Sequence, residues 1–248
     1  MIFNVKFIYE MGSDMLDFLS DVSIFNELSD KELEPFTEYF SERTYPKNSM
    51  IILEEEYGDI VFFIKSGTVK ITRVNEEGKE VILSLLGYGE FFGEMALLDG
   101  EARSANVLAQ EKCTIVVVQK NDFMELLRTN HKISFSLMSE LAKRLRKSDL
   151  QIEALSLSDA EHRIGVSLLN LAEDMGVIRK GKVTIERLPF QQDIANMSGT
   201  SRETVSRVLK HFEERLMITK TGHRLVIPDY VFFKKIFGKS CYSTTNCF

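Results

Sequence analysis

Two stretches of this chain carry residue types whose spacing suits chemistry. The first is Glu90-Phe91-Phe92-Gly93-Glu94-Met95-Ala96-Leu97-Leu98, with Arg103 nine positions after Glu94 in Glu101-Ala102-Arg103-Ser104-Ala105. Phe91-Phe92 reads as the end of a strand, and Met95 to Leu98 as a short apolar helix. The backbone amides from Gly93 through Met95 and Ala96 are then free at a helix start, where an anion is favoured. Arg103 leads into a half-buried strand, and a buried arginine needs an anionic partner. Glu94 can supply that partner as an internal salt bridge, or a ligand phosphate can. The residues alone leave both open.

The second stretch is Gln191 to Lys210. Ile194 and Ala195 fit the inner face of a short helix, and Gly199 permits a tight turn. Ser201 caps a second helix whose inner face carries Val205, Val208, Leu209 and Phe212. A small residue, a glycine four positions on, then apolar residues six and nine beyond it, lets two helices cross closely. The outer face presents Arg202, Glu203, Ser206, Arg207 and Lys210. Arginine donates two hydrogen bonds to guanine O6 and N7, and glutamate accepts from cytosine N4. Ser206 and Lys210 suit phosphates. This face fits double-stranded DNA.

The surrounding elements must position these groups. Seven of the 14 glycines lie between Gly58 and Gly100. Between and beyond them run Val61-Phe62-Phe63-Ile64, Thr68-Val69-Lys70-Ile71, Val81-Ile82-Leu83 and Thr114-Ile115-Val116-Val117-Val118. Such runs, punctuated by Ser66-Gly67 and Asn75-Glu76-Glu77-Gly78, predict hairpins of an antiparallel barrel or roll over 24–130. The period then changes. Met138, Leu141, Leu145, Ser148, Ile152 and Leu155 follow a 3-4-3-4-3 spacing, and no Gly or Pro interrupts 132–157. One long helix over 131–157 is expected, its seam facing a partner helix from a second copy of the chain.

Ser158-Asp159-Ala160-Glu161 reads as a capping box that starts the next helix and marks a hinge. A domain over 158–230 follows, with Leu216 to Ile227 as a β-wing turning at Gly222. Residues 1–23 read as an N-terminal extension and 231–248 as a tail. In the tail, Phe232, Phe233, Ile236 and Phe237 suit a short amphipathic helix.

Composition sets the class. The chain has 248 residues, of which 44% are hydrophobic and 27% charged, as in globular proteins. No run approaches the ~18 apolar residues of a membrane-spanning helix, and no signal-peptide cleavage pattern follows the N-terminus; a cytoplasmic protein with no membrane partner is expected. The net charge of −6 conceals an asymmetry: from Ser158 onward 14 Lys and Arg face 10 Asp and Glu, leaving −10 on the remainder. Only the back half is electrostatically suited to DNA. Cys113, Cys241 and Cys247 are too few for a four-cysteine iron–sulfur cluster. None of His131, His162, His211 and His223 lies in the β-roll, which argues against a haem or a metal there. No nucleophile–base pair converges, so catalysis is not expected.

Together, Phe92-Gly93-Glu94 with Arg103-Ser104-Ala105, and Ser201-Arg202-Glu203-Thr204-Val205-Ser206-Arg207-Val208-Leu209, resemble the CRP/FNR family of bacterial transcription regulators over nearly the whole chain. The resemblance implies an α+β architecture: a cyclic-nucleotide-binding β-roll, a long dimerisation helix and a C-terminal winged helix-turn-helix. In its cyclic-AMP-binding branch, Gly93 and Glu94 would contact ribose and phosphate, and Arg103 and Ser104 would hold the cyclic phosphate. Adenine would meet a Thr-Ser pair on the dimer helices, at the positions of Ser148 and Asp149. Asp149 departs from that pair: a carboxylate there accepts from the adenine amino group, repels anions or favours guanine. Arg202, Glu203 and Arg207 match the base-reading trio, implying palindromic TGTGA-like half-sites about one helical turn apart. The implied partners are DNA, a second copy of the chain and RNA polymerase.

Overall fold

The structure is a computed structural model and describes residues 14–238. They form two compact units. One runs to Arg73 and resumes over Leu86–Lys143, and the other takes Val74–Leu85 and the chain from Arg144.

The first unit begins with a helix through 14–21 (α1), then α2 (Asp30–Leu33) and a 3-10 turn (Glu34–Tyr39). The strands follow in chain order: β1 (Phe40–Tyr45), β2 (Met50–Ile52), β3 (Ile60–Ser66), β4 (Val69–Val74), β5 (Glu80–Leu86), which up to Leu85 is counted in the second unit, and β6 (Phe91–Phe92). After α3 (Met95–Asp99) come β7 (Asn106–Ala109), β8 (Cys113–Gln119), α4 (Lys120–Thr129) and α5 (His131–Leu157). The strands make two sheets, ordered β1-β8-β3-β6 and β2-β7-β4-β5. β8 pairs antiparallel with both β1 and β3. Its β-branched run is buried on both faces because it lies inside its sheet.

Alternation along β3 divides the apolar interior. Val61 and Phe63 join Phe25, Phe40 and Phe91, while Phe62 and Ile64 join Phe92, Val107 and Val117. Phe62 and Phe92 stack at 5.0 Å with rings 2° apart. Each such buried side chain contributes ~1.5–3 kcal/mol by leaving water. Cys113 is fully buried, its Sγ 3.4 Å from the carbonyl oxygens of Thr68 and Glu111.

Residues 14–23 are not a mere extension. Phe18, Leu19 and Val22 are buried in the first unit's core, since α1 brings an apolar face to Phe25 and Phe63.

The expected long helix is α5. Met138, Leu145, Ile152 and Leu155 of its seam stand exposed in the single chain, and Phe135, not noticed in the sequence pattern, extends the stripe by one position.

The second unit contains α6 (Ala160–Met175), β9 (Val177–Arg179), β10 (Lys182–Ile185), α7 (Gln191–Ser198), α8 (Arg202–Glu214), β11 (Thr219–Thr221), β12 (Arg224–Ile227) and α9 (Tyr230–Phe237). Its sheet order is β11-β12-β10-β9, so the wing hairpin extends a second hairpin that the sequence reading did not resolve. Ile82 and Leu85 of β5 belong to this unit's core.

The cap of α6 is Asp159, not Ser158: Asp159 is the residue in extended conformation, and its Oδ1 accepts from the His162 amide at 2.9 Å. Glu161 does not close a capping box but meets His211 Nδ1 at 3.1 Å and Arg215 Nη1 at 3.2 Å. Residues 231–238 are more than tail. α9 is capped by Asp229, and Phe233 and Phe237 are buried. Phe237 lies so close to α6 that a Cβ on Gly165 would stand 2.3 Å from its ring. Cys241 and Cys247 lie outside the described residues.

Candidate ligand pocket and nucleic-acid interface

The first candidate site is built around Arg103. β6 ends at Phe92, and Gly93 after it, with a φ of +81° open to glycine, turns the chain into α3. Glu94 is the N-cap residue of α3 and is buried; Met95 is exposed and Ala96 faces inward. Arg103 is fixed through its backbone: its amide donates to Glu56 O at 2.9 Å, and its carbonyl accepts from the Glu55 amide at 2.9 Å.

Arg103 as a whole is only 7% exposed. Nη1 donates to Gly93 O at 2.6 Å and Nη2 to Ile60 O at 2.9 Å, with Cζ 5.8 Å from the Phe62 ring centroid. A Cβ on Gly58 would lie 2.5 Å from Nη2, and one on Gly93 2.8 Å from Nη1. Two glycines therefore cradle the cation. Burial pulls its pKa down, while the negative charges of Asp59 and then Glu94 pull it back up. An arginine stays protonated regardless. Among the described residues, its guanidinium hydrogen bonds are these two carbonyl bonds. Ser104 sits beside it, exposed, with Oγ 4.0 Å from Met95 Sδ.

Gly93, Glu94, Met95, Ala96, Arg103 and Ser104 thus come together. Gly58 is the member that sequence reasoning missed, and the glycine cluster was its only signal. Ser148 and Asp149 are exposed on the second unit's stretch of α5, and Ser148 Oγ donates to Arg144 O at 3.1 Å.

The other site lies on α7 and α8. Gln191 is the first residue of α7, and Gly199 ends that helix with φ of 58°. Ser201 caps α8 by accepting from the Thr204 amide at 3.2 Å. Val205, Val208, Leu209 and Phe212 are buried, while Arg202, Glu203, Ser206, Arg207 and Lys210 are all exposed. Hydrogen bonds from its own amide and the Ser201 hydroxyl hold the Glu203 carboxyl below its ordinary pKa, so it remains an acceptor at neutral pH. Lys210 Nζ is 3.8 Å from Glu214, an exposed pair that costs little to part. Next to this face, a groove of about 540 Å³ runs between the start of α7, Arg202 and the wing residues Lys220, Gly222 and His223. Lys220 and His223 add positive or ionisable groups that the sequence reading had not assigned.

A buried cation behind a helix start and a cationic helix-turn-helix face define a ligand-binding transcription regulator, and comparison with known proteins agrees. Residues 42–130 match the family model of the cyclic nucleotide-binding domain, and 162–234 that of the Crp-like helix-turn-helix domain. The chain is 35% identical over 191 residues to the cyclic AMP receptor protein of Thermus thermophilus, covering 77% of this chain and 85% of that one. It is 35% identical over 202 residues to the cAMP-activated global transcriptional regulator CRP of Pasteurella multocida, covering 80% and 95%. The solved structure of FixK2 from Bradyrhizobium japonicum shares the fold, with a TM-score of 0.69 at 20% identity over 79% of this chain and 96% of that one. The protein belongs to the CRP/FNR family of DNA-binding transcription regulators and is not an enzyme. Among the described residues, no helix is long and apolar enough to cross a membrane.

Proposed function

We propose that the protein is a cytoplasmic homodimer switched by a cyclic nucleotide, cyclic AMP, and that it binds palindromic DNA with TGTGA-like half-sites. The observation that carries this reading is Arg103, a buried cation whose guanidinium hydrogen bonds go to backbone carbonyls and which is followed in the chain by the exposed Ser104. A cyclic phosphate pairs with Arg103, with Ser104 and the amides of Gly93 to Ala96 around it and Glu94 on the ribose. Ser148 and Asp149 are assigned to the base. The exposed stripe on α5 supports the homodimer, because a seam of this length is covered by a second helix. Arg202, Glu203 and Arg207 read bases, Ser206 and Lys210 hold phosphates, Gln191 and Ser201 belong to the same DNA-binding set, and RNA polymerase is the downstream partner. Ligand contacts made in one conformation and not the other supply the switching free energy.

Asp149 favours one second reading. The same regulator would respond to a different cyclic nucleotide, because a carboxylate suits guanine as well as the adenine amino group.

The test is fluorescence anisotropy of a labelled TGTGA palindrome at fixed salt, titrated with protein with cyclic AMP, with cyclic GMP and with neither. Tightening by cyclic AMP alone, lost in Arg103→Ala, is the expected result. Tightening by cyclic GMP moves the assignment to the second reading. Binding indifferent to both overturns the switch, and a normal response in Arg103→Ala overturns the pocket.

A further inference from the structure

A helix leaves its last carbonyls without partners from its own chain, and something else must satisfy them. At the end of α7 they are taken by side chains from two other helices. Met197 O accepts from Gln151 Nε2 of α5 at 2.8 Å. Ser198 O accepts from Arg163 Nε of α6 at 2.9 Å, and Gly199 O from Arg163 Nη2 at 3.5 Å. Arg163 Nη1 also donates to Ser158 O at 3.0 Å, just past the end of α5. Gln151 is oriented at its other end, where Oε1 accepts from Asn170 Nδ2 at 3.1 Å. Asn170 is buried on α6, and Ala154, three residues beyond Gln151, is buried as well. Leu155 closes the arrangement: a Cβ on Gly199 would stand 3.1 Å from its Cδ2.

The turn of the helix-turn-helix is therefore held from outside. Gln151 lies neither on the apolar seam of α5 nor on the DNA face, and its amide has both ends engaged. A satisfied, part-buried polar network fixes one geometry. The fixed point is Met197, five residues before Arg202. Base contacts are short-ranged and directional, whereas phosphate contacts give affinity without reading sequence.

We propose that Gln151 is a positioning residue for sequence-specific DNA binding. By capping Met197 from α5, it sets the angle at which α8 presents Arg202, Glu203 and Arg207 to base edges. The inference rests on DNA binding by the family fold and is independent of which effector is bound.

The experiment uses the full chain. A duplex enriched by the wild-type protein from random-sequence DNA, with cyclic AMP or without it, is compared with an unrelated duplex of equal length at fixed salt. The readout is the ratio of the two affinities, which global stability does not move while the protein is folded. Gln151→Leu loses both bonds, and Gln151→Glu sets a carboxylate oxygen against Met197 O. Both lose the bond to Met197 O and should lower the ratio about tenfold, the size of that one hydrogen bond, with affinity for the unrelated duplex within about twofold. Gln151→Lys keeps a donor for Met197 O and should keep the wild-type ratio. If Gln151→Leu fails to fold, the Glu and Lys variants still decide. An unchanged ratio in Gln151→Glu overturns the proposal, and so does a Lys variant that falls as far as the Glu variant.

Discussion

Gly58→Ala places one methyl group where the Arg103 guanidinium now lies. The new Cβ would be 2.5 Å from Nη2, 2.8 Å from Nε and 3.0 Å from Cζ, whereas ordinary contact begins at 3.4 Å. The guanidinium must withdraw by about 0.9 Å, too far for it to keep both carbonyl bonds. A hydrogen bond to a charged group is worth ~1.5–3 kcal/mol, so losing the bond to Ile60 O should cost about that much. In thermal unfolding of a chain this long, each kcal/mol lowers Tm by about 2–4 °C. The same displacement moves the cation off the anion site, and the loss should appear in calorimetric titration with cyclic AMP as roughly 10–150-fold weaker binding. Gly87→Ala is the control, because a Cβ there meets nothing within 4 Å. The two measurements separate the premises: Tm tests the cradle, and affinity tests the ligand. If Gly58→Ala matched Gly87→Ala in both, the cradle would not be what holds Arg103.

The other predictions concern separate elements. Arg202→Ala and Arg207→Ala should each cost ~1–3 kcal/mol of discrimination at one guanine per half-site, measured by competition with single-base variants; equal weakening on every duplex would make them phosphate contacts. Leu216 occupies the left-handed position after α8 with φ of 57°, where Met217 N donates to Phe212 O at 2.9 Å and Leu216 N to Glu213 O at 3.0 Å. Glycine relieves that strain, so Leu216→Gly should stabilise the protein by ~0.5–1 kcal/mol, and a lowered guanidinium midpoint would refute it. The Glu32 carboxyl is held down at about 2, first by Lys132 Nζ at 2.7 Å and then by the Ser29 amide at 2.8 Å. A depressed folded pKa stabilises fully above the unfolded value of about 4.3 and drains away as pH falls toward the folded value. Urea midpoints from pH 6 down to 3 should therefore fall more steeply in the wild type than in Glu32→Gln.

Patterns that rest on near neighbours were legible in the sequence. The β-branched run of β8, the seam of α5, and the spacing from Ala195 through Gly199 to Val205 and Val208 each encode a face or a turn locally. The Arg103 cluster was legible in part. Gly93 and Glu94 stand next to a strand end, but Gly58 lies 45 positions before Arg103 and nothing local ties them. Caps are decided by which residue leaves helical backbone, so Ser158 and Asp159 look alike until the chain turns. β9 and β10 are three and four residues long, too short for alternation to show. The burial of α1 and α9 depends on a neighbour's surface, such as the gap at Gly165 that admits Phe237.

Cys113 turns the first unit into its own clock. Its thiol is fully buried, and burial is what chiefly raises its pKa, so little thiolate exists at neutral pH to meet an alkylating reagent. With Cys241 and Cys247 replaced by serine, covalent labelling proceeds only through openings of the roll that expose β8. Each 1.4 kcal/mol of opening free energy slows the label about tenfold. A small molecule that binds the closed unit slows labelling further, by the factor one plus its concentration over Kd. Timed mass spectrometry of a single sulfur atom thus yields the effector's identity and affinity with no DNA in the tube.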